Sequence, residues 1–258
     1  MKHRKHNVYI QSNRAGFSLV EVLVSIAIIS LLIAITIPAL GGARDRSREM
    51  GSAVNLRSIA QIFEMYTQNA KGLYPAAVPG AFYPDPNPNM GHGSIGHWQS
   101  SNFWANLFLD DYPWAEHEQM YLSPGATRDL RPAPVIVSTV SSYRYSSSFL
   151  GHPKIWSGEP ILSHEWPDLE QSVRQSMVRY PSAKVLMWDV ELPTIRRSLR
   201  RDRFQNLMEK SPMVFADGHT EVRIPAEANK GATNWAPYAA HAHPYLHNTR
   251  DGVYGRDY

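Results

Sequence analysis

The sequence predicts an α+β fold: one long N-terminal helix, membrane-spanning in its first half, packed on an antiparallel β-sheet with large loops. Three observations carry the prediction. Residues 17–40 form a predominantly apolar run, residues 56–70 repeat apolar side chains at three- and four-residue spacing, and several later segments are β-branched or alternating, one of them with an Asp-Gly turn. With 258 residues the chain has room for one substantial domain plus appendages.

Charge is uneven along the chain. Lys2, Arg4, Lys5 and Arg14 precede Phe17 and the first acidic residue is Glu21, so the formal net charge of +3 arises in a short tail; beyond it, 22 basic groups face 23 acidic ones. An imbalance confined to a tail is no nucleic-acid footprint, and no nucleic-acid partner is expected. The chain has no cysteine, which excludes disulfides, thiolate catalysis and Cys-ligated zinc or iron-sulfur centres.

Between residues 17 and 40 only Ser18, Glu21, Ser25, Ser30, Thr36 and Pro38 interrupt Phe, Leu, Val, Ile and Ala. As a helix this run is roughly 36 Å long, against roughly 30 Å for the hydrocarbon core of a bilayer. The basic, acid-free residues before it predict a cytoplasmic N-terminus and translocation of everything after residue 43. Arg44, Arg46 and Arg48 on the far side soften that bias, with Asp45 and Glu49 among them. A secretory signal peptide has a shorter apolar stretch followed by a small-residue cleavage site. Here the small residue, Gly16, stands in front of the run.

Glu21 is the unusual residue. A carboxylate deep in a bilayer costs about 2.5–3.5 kcal/mol on insertion scales, so it calls for a cationic partner. A chain cut between Gly16 and Phe17 would carry an α-amine four residues from Glu21, and a packed neighbour could offer its amine to this carboxylate in a low-dielectric setting. The charge would then be a registry device, satisfied on assembly. The helix dipole adds about 0.3–1 kcal/mol in its favour.

A basic leader ending in Gly16, then Phe17, Glu21 and an apolar helix containing Pro38, resembles the prepilin cleavage and methylation segment of type IV pilins and type II secretion pseudopilins. The resemblance covers about the first 70 residues. It implies a leader of residues 1–16 removed after Gly16 by prepilin peptidase, N-methylation of Phe17, recruitment to a neighbouring subunit through Glu21, and a helix bend at Pro38. It also implies the partners: the peptidase, other pilin or pseudopilin subunits, an inner-membrane assembly platform, and membrane lipid. The implied location is the bacterial inner membrane, single-pass with the N-terminus cytoplasmic and the C-terminal domain periplasmic or extracellular, and then a filament. The implied role is a structural subunit, with neither catalysis nor cofactor.

The helix is expected over 17–72, with its membrane part about 17–40, and a globular, pilin-like domain over 73–258. Gly41 and Gly42 should loosen the helix after Pro38 before it resumes. Leu56, Ile59, Phe63, Tyr66 and Ala70 then form one apolar stripe suited to a sheet, Gly72 is a C-cap candidate, and Pro75 a stop. A loop-rich insertion fills about 75–132, and residues 75–100, dense in Pro, Gly and Asn, should hold no regular element. Trp98, Trp104, Tyr112, Trp114 and Tyr121 supply aromatic area there, read as buried core in preference to an exposed binding surface.

Strands are predicted at 134–140, 141–150 and 183–190, and a hairpin at 213–224 with Gly218 supplying positive φ. On its second strand Thr220, Val222 and Ile224 share one face, with His219, Glu221 and Arg223 on the other. A short helix is expected around 165–179. FADGH, residues 215–219, also resembles C-terminal motifs of pseudopilin-like families from planctomycetes and verrucomicrobia. In YLSPG, residues 121–125, Ser123 stands where such relatives often carry cysteine.

Other residue groups admit chemical readings. Asp189, Glu191, Asp217 and His219 could form an acid-base cluster of a membrane-anchored hydrolase, or hold calcium, if their strands were neighbours. No nucleophile elbow, Walker loop or HExxH accompanies them, and turn chemistry already explains Asp-Gly. The five arginines of 196–204 read as a solvated face. His241, His243 and His247 near Asp251 have spacing that can bind zinc or nickel, but no fourth ligand is evident. A minor subunit presenting the aromatic loop to a partner is the remaining alternative.

Overall fold

A computed structural model describes residues 18–78, 81–84, 92–126, 141–191, 208–232 and 245–258. The chain divides into two compact units, Met1–Arg44 and Asp45–Tyr258. Helix α1 (Leu19–Asn69) contributes to both, and the second unit adds an antiparallel four-stranded sheet, giving the expected α+β fold.

In the first unit α1 exposes apolar side chains all round: Leu19 is 76%, Ile29 54% and Leu40 70% exposed. Its hydroxyls turn back on the helix, Ser25 Oγ donating to the Glu21 carbonyl at 2.7 Å and Thr36 Oγ1 to that of Ile33 at 3.1 Å. The expected loosening after Pro38 does not occur. Helical structure runs unbroken through Pro38, Gly41 and Gly42. A proline removes one ladder donor, and the helical turns on both sides of it outweigh that local loss.

In the second unit the buried face of α1 consists of Ser52, Leu56, Ile59, Ala60, Ile62, Phe63 and Thr67. The predicted stripe is right through Phe63 and then turns by one position: Thr67 is buried, whereas Tyr66 is 36% exposed and meets Phe108 edge-on at 5.8 Å. The helix ends with Lys71 (φ 55°) and Gly72 (φ 81°) both left-handed, and Gly72 N–H donates to the Thr67 carbonyl at 2.7 Å. That bond is the six-to-one closure of a Schellman cap, which puts Lys71, not Gly72, at the first left-handed position.

The loop-rich region holds more structure than expected. Strands β1 (Phe82–Pro84) and β2 (His92–Ser94) pair antiparallel, and a 3₁₀ turn at His97–Gln99 leads into α2 (Ser100–Phe103), a second 3₁₀ turn at Trp104–Phe108, and α3 (Trp114–Tyr121). Pro and Gly density hid these elements because each spans only a few residues, with Pro84 closing its strand where no further donor is needed. Trp98, Trp104, Trp114 and Tyr121 are buried, as read from the sequence, and Tyr112 is half-buried against the same core. Phe63 lies 5.6 Å from Trp104 and 5.0 Å from Tyr145, and Trp114 stacks on Tyr121 at 4.9 Å.

The main sheet comprises β3 (Tyr143–Tyr145), β4 (Val185–Asp189), β5 (Ser211–Phe215) and β6 (Thr220–Arg223), hydrogen-bonded in that order with every pair antiparallel. The strand expected over 141–150 shortens to three residues: the Ser146 hydroxyl bonds the Leu246 carbonyl at 2.5 Å and contacts Ser148 Oγ, and Ser147–Phe149 becomes a 3₁₀ turn. The expected helix near 165–179 shrinks to α4 (Trp166–Leu169), because the Leu169 carbonyl is taken by His152 N–H at 2.9 Å. The strand predicted at 134–140 lies outside the described residues.

Both central strands are buried along their whole length. Leu186, Met187 and Val214 join the core that contains α1, while Val185, Trp188, Met213 and Phe215 join a second cluster with Ala228 and Leu246. Burial on both faces explains why β4 reads as a continuous apolar run. The β5–β6 hairpin turns at Asp217-Gly218, with Gly218 at φ 84° as predicted. On the edge strand β6 the faces alternate as expected: Glu221 contacts both His219 and Arg223, and these two lie over the Phe215 ring, while Val222 on the other face is 40% exposed.

The C-terminal residues are sealed by charge. Lys184 and Asp257 are both fully buried, with Lys184 Nζ 3.1 Å from Asp257 Oδ2, which also accepts the Val185 N–H at 2.8 Å; Thr249 Oγ1 donates to Asp257 Oδ1. Lys184→Met should therefore cost about 3–5 kcal/mol by stranding the Asp257 carboxylate. Phe63→Ala should cost a similar amount through its cavity, and Tyr66→Ala less than half as much. Denaturant unfolding of the full chain in detergent, followed by tryptophan fluorescence, measures all three.

Candidate functional site

Gly16 and Phe17 lie outside the described residues, so the described part of the N-terminal segment begins at Ser18. There the carboxylate of Glu21 meets a partner that the sequence analysis did not anticipate. Its Oε2 accepts the Ser18 N–H at 2.8 Å, while Ser18 Oγ accepts the Val20 N–H at 3.3 Å. Together they close the start of α1 in the manner of a capping box. The Ser-x-x-Glu spacing at 18–21 is the sequence signature of this arrangement.

The hydrolase cluster does not assemble. Val185 lies opposite Phe215 in the sheet, so Asp217 and His219 sit beyond one end of β4 and Asp189 ends the other, about 13 Å away at 3.3 Å per residue. His219 stacks on Phe215 with ring centroids 4.3 Å apart, and Asp217 Oδ1 accepts its backbone N–H at 3.1 Å and lies 2.5 Å from its Nδ1. This is an Asx-type turn with a side-chain extension. The turn borders a cavity of about 680 Å³ that Arg57, Glu64 and Tyr74 also line.

Asp189 has a different role. Fully buried, its Oδ2 accepts Ser52 Oγ–H at 2.5 Å from α1 and Ser123 Oγ–H at 2.6 Å from the loop after α3, and its Oδ1 accepts the Glu191 N–H at 2.8 Å. One carboxylate thus binds α1, the aromatic region and the sheet together. Glu191 itself accepts the Ser142 hydroxyl at 2.9 Å. Sequence reasoning missed Ser52 and Ser123 as its partners. A serine four residues before Leu56 on a buried stripe was the available signal, since a polar group there needs a buried partner.

Of the tail histidines, His241 and His243 lie outside the described residues. His247 is buried edge-on against Trp188 at 4.7 Å, with its Nδ1 3.1 Å from Ser147 Oγ. Asp251 instead adopts a left-handed backbone (φ 62°) before the Gly252–Tyr254 turn. Among the described residues no three His, Asp or Glu side chains converge as a metal-ligand set. The arginines of 196–204 also lie outside the described residues.

Burial raises the Asp189 pKa from 3.8 to about 6, against the lowering effect of its three hydrogen bonds. A folded-state value above the unfolded one means that the native state binds the proton more tightly. The stabilising contribution is complete below pH 3.8 and is lost as pH rises to about 6, by about 3 kcal/mol in all. Asp189→Asn should remove this segment of the stability-pH profile, as measured by denaturant midpoints between pH 4 and 7.

The profile of the prokaryotic N-terminal methylation motif matches residues 11–37. Comparison with curated proteins and with solved structures returns no match. From residue 19 onward the match lies in α1, which is long and apolar enough to cross a membrane. The chain carries, at the head of that helix, the N-terminal methylation motif characteristic of type IV pilins and pseudopilins.

Proposed function

We propose that the chain is a structural subunit of a type IV pilus or a type II secretion pseudopilus. Prepilin peptidase removes residues 1–16 by cutting after Gly16, Phe17 is N-methylated, and the subunit enters a filament through its N-terminal helix. The observation that carries this reading is the methylation motif at residues 11–37, overlapping an apolar helix whose side chains are exposed all round. Before assembly the membrane covers that surface, and in the filament neighbouring helices do. The membrane part is residues 17–40, N-terminus cytoplasmic, with lipid, the peptidase, sister subunits and the inner-membrane assembly platform as partners.

Glu21 supplies the register: its carboxylate pairs with the terminal ammonium of an adjacent subunit where water is excluded, and a misaligned helix leaves both charges unmatched. Pro38 marks the bend that fits the helix to its neighbours. The role requires no cofactor and no catalytic group. The globular domain, residues 73–258 with the end of α1, is what the filament displays.

Mass spectrometry of envelope fractions should find the mature chain beginning at N-methylated Phe17; an intact leader in cells with active peptidase would refute the proposal. Glu21→Ala should leave membrane insertion unchanged and reduce sheared filament yield by about tenfold or more, the consequence of one lost buried charge pair.

A further inference from the structure

The single chain already uses half of the Glu21 carboxylate. Oε2 holds the Ser18 N–H at 2.8 Å, and the Ser18 carbonyl takes the Val22 N–H at 3.2 Å, which makes Ser18 the N-cap of α1 and Glu21 its third helical residue. Among the described residues Oε1 accepts no hydrogen bond. We infer that the two oxygens have separate and simultaneous tasks: Oε2 closes the subunit's own helix, and Oε1 receives the ammonium of a neighbour. The second task rests on the assembly role proposed above; the first does not.

The division follows from the surroundings. The first N–H groups of a helix have no partner in the ladder, and an apolar medium offers no water to replace one. A carboxylate that accepts one N–H keeps its full charge and a free set of lone pairs on the other oxygen. The cap also fixes the glutamate rotamer before any partner arrives. A neighbour's ammonium therefore meets an acceptor whose side-chain entropy is already lost, in place of one that must be ordered on binding. Ser25 completes the arrangement by donating to the Glu21 carbonyl at 2.7 Å, one turn further on.

Glutamine and alanine separate the two tasks. Glu21→Gln keeps a side-chain carbonyl for the Ser18 N–H but has no charge; Glu21→Ala has neither. Amide exchange at Ser18, measured by NMR on the processed chain in detergent, should match the native rate in Glu21→Gln and rise about fivefold in Glu21→Ala, the equilibrium equivalent of one lost cap. Both variants should lower filament yield by about tenfold or more. In native filaments, solid-state NMR should still place the Ser18 amide against the Glu21 carboxyl carbon. Unchanged Ser18 exchange in Glu21→Ala, or loss of that contact on assembly, overturns the inference while leaving the assembly role standing. Filaments formed by Glu21→Gln at native yield overturn the assembly role and, with it, the task given to Oε1.

Discussion

One helix has to satisfy two different solvents, and the rest of the molecule follows from how it does so. Along the 51 residues of α1 the apolar pattern changes from all-round to a single stripe. The first kind of surface can be covered only by something outside the chain, a membrane or other helices. The second is covered by the chain itself. Sheet, aromatic region and C-terminal residues all serve to bury that stripe, and Leu56, Ile59 and Phe63 lie at the heart of the resulting core.

Polar groups along the helix are settled by the same logic. Four of them find a partner within reach: Ser25 and Thr36 bond back to the helix, Glu21 caps its start, and Ser52 donates to Asp189. The Asp189 junction differs in kind from the capping bond because it joins segments far apart in sequence, 137 positions in the case of Ser52. It gives a mostly apolar helix stripe a directional contact that only one registration against β4 can satisfy.

Much of this was legible in advance, and the reasons differ by element. The apolar run, the stripe through Phe63 and the Asp217-Gly218 turn were readable because each is a local pattern with a local cause. Burial of Trp98, Trp104, Trp114 and Tyr121 followed from their size. Elements decided by distant partners were not readable. The shortening of β3 depends on Leu246, the end of α4 on His152, and the use of Asp189 on Ser52 and Ser123, none of which periodicity can reveal. At the start of α1 the bond from the Ser18 N–H to Glu21 is local, and the Ser-x-x-Glu spacing encodes it, although the charge of Glu21 is the more conspicuous feature of the segment.

The pairing of Lys184 with Asp257 bears on how the domain comes to be made. The two are 73 positions apart, and the ammonium sits where no solvent reaches it. Until Asp257 is in place, β4 can enter the sheet only by burying an unpaired cation, so closure of the sheet waits on a partner far along the chain. Folding of the second unit is thereby cooperative across a wide stretch of sequence: β4, Thr249 and Asp257 come together in one step or not at all.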